Sequence, residues 1–530
     1  MSSIEKSEFM GMHFSKSFIK RDLYSAKYRR RELNEVRTLF DLSDKNNFTI
    51  DDQTWNDLIM DEVFDELDRT YSAEGEAVLY KMLRNPIMNE DELKKRGGII
   101  DLFKKDVDLI VNLRKIFYEM IYDKKNSLIS MINEVLPTSK LKYYIYCTLS
   151  VLPVFLIAIS VILNNPKFMI ILMLEVFVNM YIYEKEHERI DIKGLLYLSD
   201  LIEASKKISN IRNSELSPYT IKLKNLLSKL EIINRSIFLL RIINAFGGVF
   251  QIFAIPFLIE ERTYYRTSNH LLKRRNEILE LYNLVGELDA LTSISIYENS
   301  NKGEYTNPRF VKRTTLKIVD GIHPLIKKPV PNSIEFSGKG VVLTGTNMSG
   351  KSTFLRMISI NILLAQTFNF ALAQEYEGCF FNVVSSISPK DDIMNGKSYY
   401  LAEAESILRI LKASENKIPV FCVIDEIFRG TNPLERISSS AEILNYINIR
   451  KAICIVATHD RELLDMLKGK YDFYYFSEDV NIKTGLNFDY KIKKGISKTR
   501  NAIKLLEYIG YPKEIIQNSY KRIEQIKGFI

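Results

Sequence analysis

Cysteine is scarce in this chain: four in 530 residues, Cys147, Cys379, Cys422 and Cys454, with no C-x-x-C pair. That usage excludes a disulfide framework or a zinc site built on paired thiols, and it fits a reducing compartment. The opening stretch MSSIEKSEFMGMHF lacks the apolar core of a secretory signal, so any membrane insertion is expected from inside the chain. Charge of one sign is also in short supply, since 74 Lys and Arg against 66 Asp and Glu leave a net +8. So small an excess is compatible with nucleic acid or an anionic lipid surface, and equally with an ordinary solvated exterior. What the chain does have is length and a 46% hydrophobic content, enough for several cores and roughly three or four domains.

Residues 1–45 are polar and doubly charged, with a basic run at Lys27, Arg29, Arg30 and Arg31 that reads as a solvated helix face. Residues 46–135 follow a helical period, with apolar side chains at three- and four-residue steps such as Leu58, Val63, Phe64 and Leu67. Within 136–265 the composition changes. Tyr143 to Leu163 holds no charge and is long enough to cross the ~30 Å of a bilayer's hydrocarbon as a helix. A turn at Asn164, Asn165 and Pro166 leads into a second apolar run, Phe168 to Tyr183, broken only by Glu175. Lys140 and Lys142 precede the pair and Lys185 and Arg189 follow it, which predicts a transmembrane hairpin over 143–183 with both ends cytoplasmic. The alternative is a buried core hairpin, and Glu175 counts toward it. A third apolar segment, 242–259, carries Gly247, Gly248 and Pro256 and suits a broken or re-entrant helix. The charged stretch 260–300 reads as one amphipathic helix. Residues 266–305 are the expected connection to a domain at 306–530.

The strongest chemical signal lies in that domain. Val341, Val342 and Leu343 make an apolar strand that runs into Gly345, Thr346, Asn347, Met348, Ser349, Gly350, Lys351 and Ser352, a full G-x-x-x-x-G-K-[ST]. Thr353 and a helical pattern, Phe354, Leu355, Ile358 and Ile362, follow at once. Strand, loop and helix in that order build a phosphate cradle from backbone N–H groups and a helix N-terminus. Lys351 is placed to reach the β- and γ-phosphates of ATP, and Ser352 to put its hydroxyl on Mg²⁺. A second apolar strand, Val420 to Ile424, ends in Asp425, suited to the Mg²⁺ shell, and Glu426, suited to orienting the attacking water. A third, Ala452 to Val456, ends in Ala457-Thr458-His459, which puts a histidine at the same sheet edge.

Taken together these residues resemble the MutS family of DNA mismatch repair proteins. Thr344 to Thr353, with Asn347-Met348 inside it, is similar to that family's phosphate loop. Asp425-Glu426-Ile427-Phe428-Arg429-Gly430-Thr431 is similar to its Asp-Glu-x-x-Arg-Gly-Thr. His323-Pro324 and Pro331-Asn332 upstream, Asp392-Ile393, Gly396 to Tyr399 and Glu403 between the motifs, and Asn487 to Ile492, Gly495, Asn501-Ala502 and Gly510 to Pro512 downstream extend the likeness over about 310–520. Thr70, Gly75, Leu79, Leu83 and Pro86 resemble the opening of the family's helical core.

The resemblance implies an α/β P-loop ATPase domain of ABC type behind an all-α core and lever region, here carrying the apolar, transmembrane helices. It implies a head-to-tail homodimer through the ATPase domain, in which Ser398 meets the partner's nucleotide. It implies ATP and Mg²⁺ as cofactors and DNA, mismatched or branched, as a partner. No mismatch-reading domain, Phe-x-Glu wedge or C-terminal nuclease is expected, and the apolar hairpin stands where a DNA clamp would extend. A membrane-bound mechanical ATPase that does not recognise mismatches is therefore the competing expectation. A nucleotide switch without turnover is disfavoured by Glu426.

Overall fold

The computed structural model describes residues 31–525 apart from 135, 188, 246–253, 302, 347–348, 388–398, 416–417, 430, 451, 482–484 and 497–501. The chain divides into two compact units that alternate along the sequence. One comprises the residues up to Asp44, then Asp68–Lys81 and Ile99–Ser300; the other comprises Lys45–Leu67, Met82–Gly98 and the chain from Asn301 onward. The helical stretch 46–135 is thus shared between units rather than forming a piece of its own.

The first unit is helical throughout its described residues. Its axis is the helix Arg275–Ser300, buried at almost every position from Ile278 to Glu298. This helix meets the start of Ala73–Arg84 at very short range. A Cβ on Gly75 would lie 2.3 Å from Asp289 Oδ2, and one on Gly286 would lie 2.5 Å from the Glu74 carbonyl. Asp289 in turn accepts from Tyr71 N at 3.0 Å, Ser72 N at 2.7 Å and Ser72 Oγ at 2.7 Å. Arg31 is not on a solvated face. It is buried, and its Nε donates to Glu76 at 2.8 Å. The rest of that basic run lies outside the described residues. The stretch 260–300 is two helices, Ile259–Lys273 and Arg275–Ser300, broken at Arg274.

The apolar runs form the helices Lys140–Ile162 and Lys167–His187, packed against each other and joined by the expected turn. Among the described residues only Lys140–Ile162 is long and apolar enough to cross a membrane by length and composition. Lys167–His187 carries Glu175 midway and charges at both ends. The third segment falls mostly outside the described residues; what is described of it is a short 3-10 turn, Ile255–Phe257, entering the helix at Ile259.

The second unit holds two sheets. The smaller, in order β1-β5-β2-β3, is built from β1 (Arg309–Phe310), β2 (Leu316–Gly321), β3 (Asn332–Phe336) and β5 (Glu375–Gly378). The larger runs β10-β9-β4-β8-β7-β6, from β4 (Gly340–Thr344), β6 (Asn382–Ser386), β7 (Val420–Asp425), β8 (Ala452–Ala457), β9 (Tyr471–Asn481) and β10 (Gly485–Lys494). All its pairings are parallel except β9 with β10. Parallel strands are covered on both faces, so they read as unbroken apolar runs rather than alternating ones. Every residue of β7 is accordingly buried. At ~1.5–3 kcal/mol for each fully buried branched side chain, this sheet and its helices are a main source of the unit's stability.

Candidate active site

Register brings the three motifs to one edge. Leu343 of β4 and Asp425 of β7 both pair with Ala457 of β8, so the loops that follow these strands open side by side. The loop after β4 turns through Gly345 (φ +146°) and Gly350 (φ +103°), where a side chain would be strained, and Gly350 caps the helix Lys351–Phe368. Gly345 is also crowded, since a Cβ there would sit 2.9 Å from Ser349 Oγ and 3.0 Å from Phe476 O.

Lys351 is buried, and its Nζ donates to the carbonyls of Gly345 (2.7 Å) and Thr346 (2.9 Å), which folds the ammonium into the mouth of its own loop. Ser352 Oγ donates to Asp425 Oδ2 at 2.5 Å. A hydroxyl and a carboxylate held together are the hard oxygen donors Mg²⁺ takes, with phosphate oxygens and water completing its octahedron. No group of three His, Cys, Asp or Glu gathers to hold a metal among the described residues, so an ion here would depend on the nucleotide for the rest of its shell.

Glu426 sits just past β7 with φ +64°, a left-handed backbone unusual for glutamate, and its N–H donates to Ala457 O at 2.9 Å. Its carboxylate is clasped by Arg429 Nε at 2.9 Å and His459 Nε2 at 3.2 Å. That same imidazole nitrogen lies 3.5 Å from Lys351 Nζ. One nitrogen cannot donate to a carboxylate and accept from an ammonium at once, and the nearer carboxylate makes it the donor. Burial, and then the neighbouring Lys351 charge, hold the His459 imidazole below its usual range, so it is neutral near pH 7. Lys351, Ser352, Asp425, Glu426 and His459 are thus brought together as the sequence predicts. Asn347, Met348 and Ser398 lie outside the described residues.

Lys351, Ser352, Asp425 and Glu426 line a cavity of about 920 Å³, within the range of small-molecule sites, that continues past Thr346 and Thr353 to His323, Ile326 and Tyr490. His323 is held neutral, with its pKa pushed down to about 4 first by burial and then by Arg356. The sequence elements Pro331-Asn332 and Tyr490-Ile492 meet here. Asn332 Nδ2 donates to Tyr490 O at 2.9 Å, and Asn332 Oδ1 accepts from Ile492 N at 2.8 Å.

Two features were not read from the sequence. The first is the clasp by Arg429, whose i, i+3 spacing from Glu426 was a usable signal. The second is Asp57 in the helix Asp52–Asp57. Asp57 Oδ2 accepts from Ser385 Oγ (2.7 Å) and Ile387 N (2.9 Å), and its carbonyl accepts Arg356 Nε (2.7 Å) from the helix after the phosphate loop. Ile387 lines the cavity, so Asp57 braces the site from behind. Nothing in the helical period around Asp57 marks it out.

Residues 341–527 match the family model described as MutS domain V. The chain is 32% identical over 289 residues to the DNA mismatch repair protein MutS of Petrotoga mobilis, covering 51% of this chain and 34% of that protein. It is 29% identical over 264 residues to that of Thermus thermophilus, covering 49% and 32%. The likeness to the MutS of Fusobacterium nucleatum, 25% over 521 residues, covers 87% of this chain and 56% of that protein. Residues 341–527 thus carry the MutS domain V likeness, and similarity to MutS proteins extends over most of the chain. The Fusobacterium match covers 87% of this chain and so reaches well beyond residues 341–527, and the MutS likeness is not confined to domain V. The matched regions span about a third of the Petrotoga and Thermus MutS proteins, 34% and 32%.

Proposed function

We propose that this MutS-like chain hydrolyses ATP with Mg²⁺, closes as a head-to-tail dimer on two nucleotides, and couples that closure to DNA. The gathering of Lys351, Ser352, Asp425 and Glu426 at one sheet edge carries the reading. Lys351 binds the β- and γ-phosphates, and Ser352 and Asp425 hold the ion, which neutralises charge developing on the phosphoryl oxygens. Glu426 orients the water and takes its proton, and His459, neutral and within reach of Glu426, positions that carboxylate. Ser398 completes the partner's site.

The DNA part rests on the relatives' description as mismatch repair proteins. Turnover by the purified chain, with and without mismatched or branched duplex across a salt series, tests both parts. DNA should raise turnover, and binding should weaken steeply with salt as phosphate contacts are lost. Absence of ATP binding and cleavage in magnesium sinks the whole reading, whereas turnover indifferent to DNA removes only the effector. A second reading, a membrane-held mechanical ATPase acting on something other than mismatched DNA, is favoured by the apolar helix pair, which has no part in the nucleotide chemistry.

A further inference from the structure

We infer that the helices Lys140–Ile162 and Lys167–His187 stand in a lipid bilayer as a hairpin with both feet on one side, the first meeting the length and composition of a crossing and the second entering beside it with Glu175 turned toward protein. This gives the second reading its partner and rests on that reading only for what the ATPase would move.

The pair is built inside out. A helical hairpin in water buries apolar side chains and presents polar ones. Here Ser150, Glu175 and Asn179 are buried, while Val154, Phe155, Val161, Ile170, Leu174 and Phe177 are each more than half exposed. The exposed positions do not form one stripe. Tyr144, Ile145, Val151, Val154, Phe155, Ile157, Val161 and Ile162 point to several sides of the first helix, and Met169, Ile170, Ile171, Met173, Leu174, Phe177, Val178, Met180 and Tyr181 do so on the second. A docked protein or a second copy would cover one face. Only a solvent that is itself apolar accounts for exposure on several sides.

The polar groups inside turn toward protein: Asn179 Nδ2 and Ser150 Oγ are partnered, while Glu175 Oε2 and Asn179 Oδ1 have no partner among the described residues. Asn179 Nδ2 donates to Glu175 and, at 2.7 Å, to the carbonyl of Pro256, so the intramembrane carboxylate faces protein rather than lipid. Arg262 Nη1 reaches Ser150 Oγ at 2.8 Å. Pro153 is buried within its helix, a position that neighbouring helices make tolerable in a membrane.

The ends fit as well. A helix of 23 residues rises about 34 Å against a hydrocarbon core of about 30 Å. Tyr143, Tyr144, Tyr146, Tyr181 and Tyr183 cluster where the two helices start and finish, the level at which an aromatic belt meets headgroups. Lys140, Lys142, Lys185 and Arg189 stand at the same feet, and Lys142 is tied to Glu186 at 2.7 Å. The turn through Asn164, Asn165 and Lys167 supplies the polar far end.

The test uses the full chain synthesised beside vesicles of phosphatidylethanolamine and phosphatidylglycerol, washed at alkaline pH and floated on a density gradient without nucleotide. Most of the chain should float. Val154→Lys with Leu174→Lys should lower the floating fraction at least tenfold, with helix content by circular dichroism unchanged because both side chains point outward. Leu434→Lys, an exposed position in the other unit, should float like the parent. A chain that stays at the bottom, is released by the alkaline wash, or floats equally well with both lysines in place overturns the inference. A soluble oligomer that ignores the vesicles does so too. ATP turnover is measured separately, so the bilayer and the nucleotide chemistry can fail independently.

Discussion

Replacing Glu74 by glutamine should flatten the pH dependence of the helical unit's stability, so that the variant gains on the parent as pH rises. Glu74 is fully buried at the close approach of two helices. Its Oε2 accepts from Tyr197, and its Oε1 has no partner among the described residues. Burial above all pushes its pKa from 4.5 up to about 8. A carboxyl whose folded pKa is raised favours the folded state fully only below its unfolded value. That contribution is lost as pH climbs through the folded pKa, because the unfolded chain ionises freely meanwhile. With these values the folding cost is under ~1 kcal/mol at pH 5 and on the order of 4 kcal/mol at pH 8. Glutamine cannot ionise, so the pH-dependent difference of ~3 kcal/mol disappears, an upper figure for so enclosed a group. The new amide N–H₂ costs about 1–3 kcal/mol if it finds no acceptor, but equally at every pH. The readout is therefore the slope. The Tm difference between Glu74→Gln and parent, followed by circular dichroism, should be larger at pH 8 than at pH 5 by about 5–10 °C. An equal difference at both pH values would refute the reasoning, since it would leave packing as the whole effect.

Gly75→Ala should destabilise by about 1–3 kcal/mol, read from the denaturant midpoint, because its methyl would fall 2.3 Å from Asp289 Oδ2 in a packed core. Lys351→Ala should lose ATP binding, followed with a fluorescent nucleotide, and full-strength binding would mean the ammonium is not on the phosphates. Glu426→Gln should still bind ATP and accumulate as dimer by light scattering while turnover falls on the order of a hundredfold. Unreduced turnover would take the general-base role from it. Ser398→Ala mixed with Lys351→Ala should recover turnover towards half the parent rate, because the mixed dimer keeps one site with Lys351 and the partner's serine both intact, whereas no recovery would argue against a contact in trans.

How much was legible depended on whether a residue's role is local. The phosphate loop announces itself because glycines, a lysine and a hydroxyl must follow a buried strand within a few residues, and the helix Lys351–Phe368 begins where that grammar places it. Parallel strands announce themselves as apolar runs, and Cys422 and Cys454, in register on β7 and β8, are simply part of that core. Gly75 was visible only as a member of a pattern; its reason, the Asp289 carboxylate 214 positions away (289 − 75), is a tertiary fact. Asp57 and Arg31 were illegible for the same cause, since each is a polar residue whose burial is made acceptable by partners far along the chain. The helical hairpin was legible as apolar length, but which side chains turn inward is decided by packing alone.

The chain changes unit after Asp44, Leu67, Lys81, Gly98 and Ser300. Neither half can be lifted out as one continuous stretch. A fragment beginning at Asn301 keeps every nucleotide-binding motif yet leaves behind Asp57, and with it the groups that anchor Ser385, Ile387 and Arg356. The nucleotide-site unit borrows part of its own foundation from sequence lying between segments of the helical unit, so any truncation at the obvious boundary removes structural support along with the neighbouring domain.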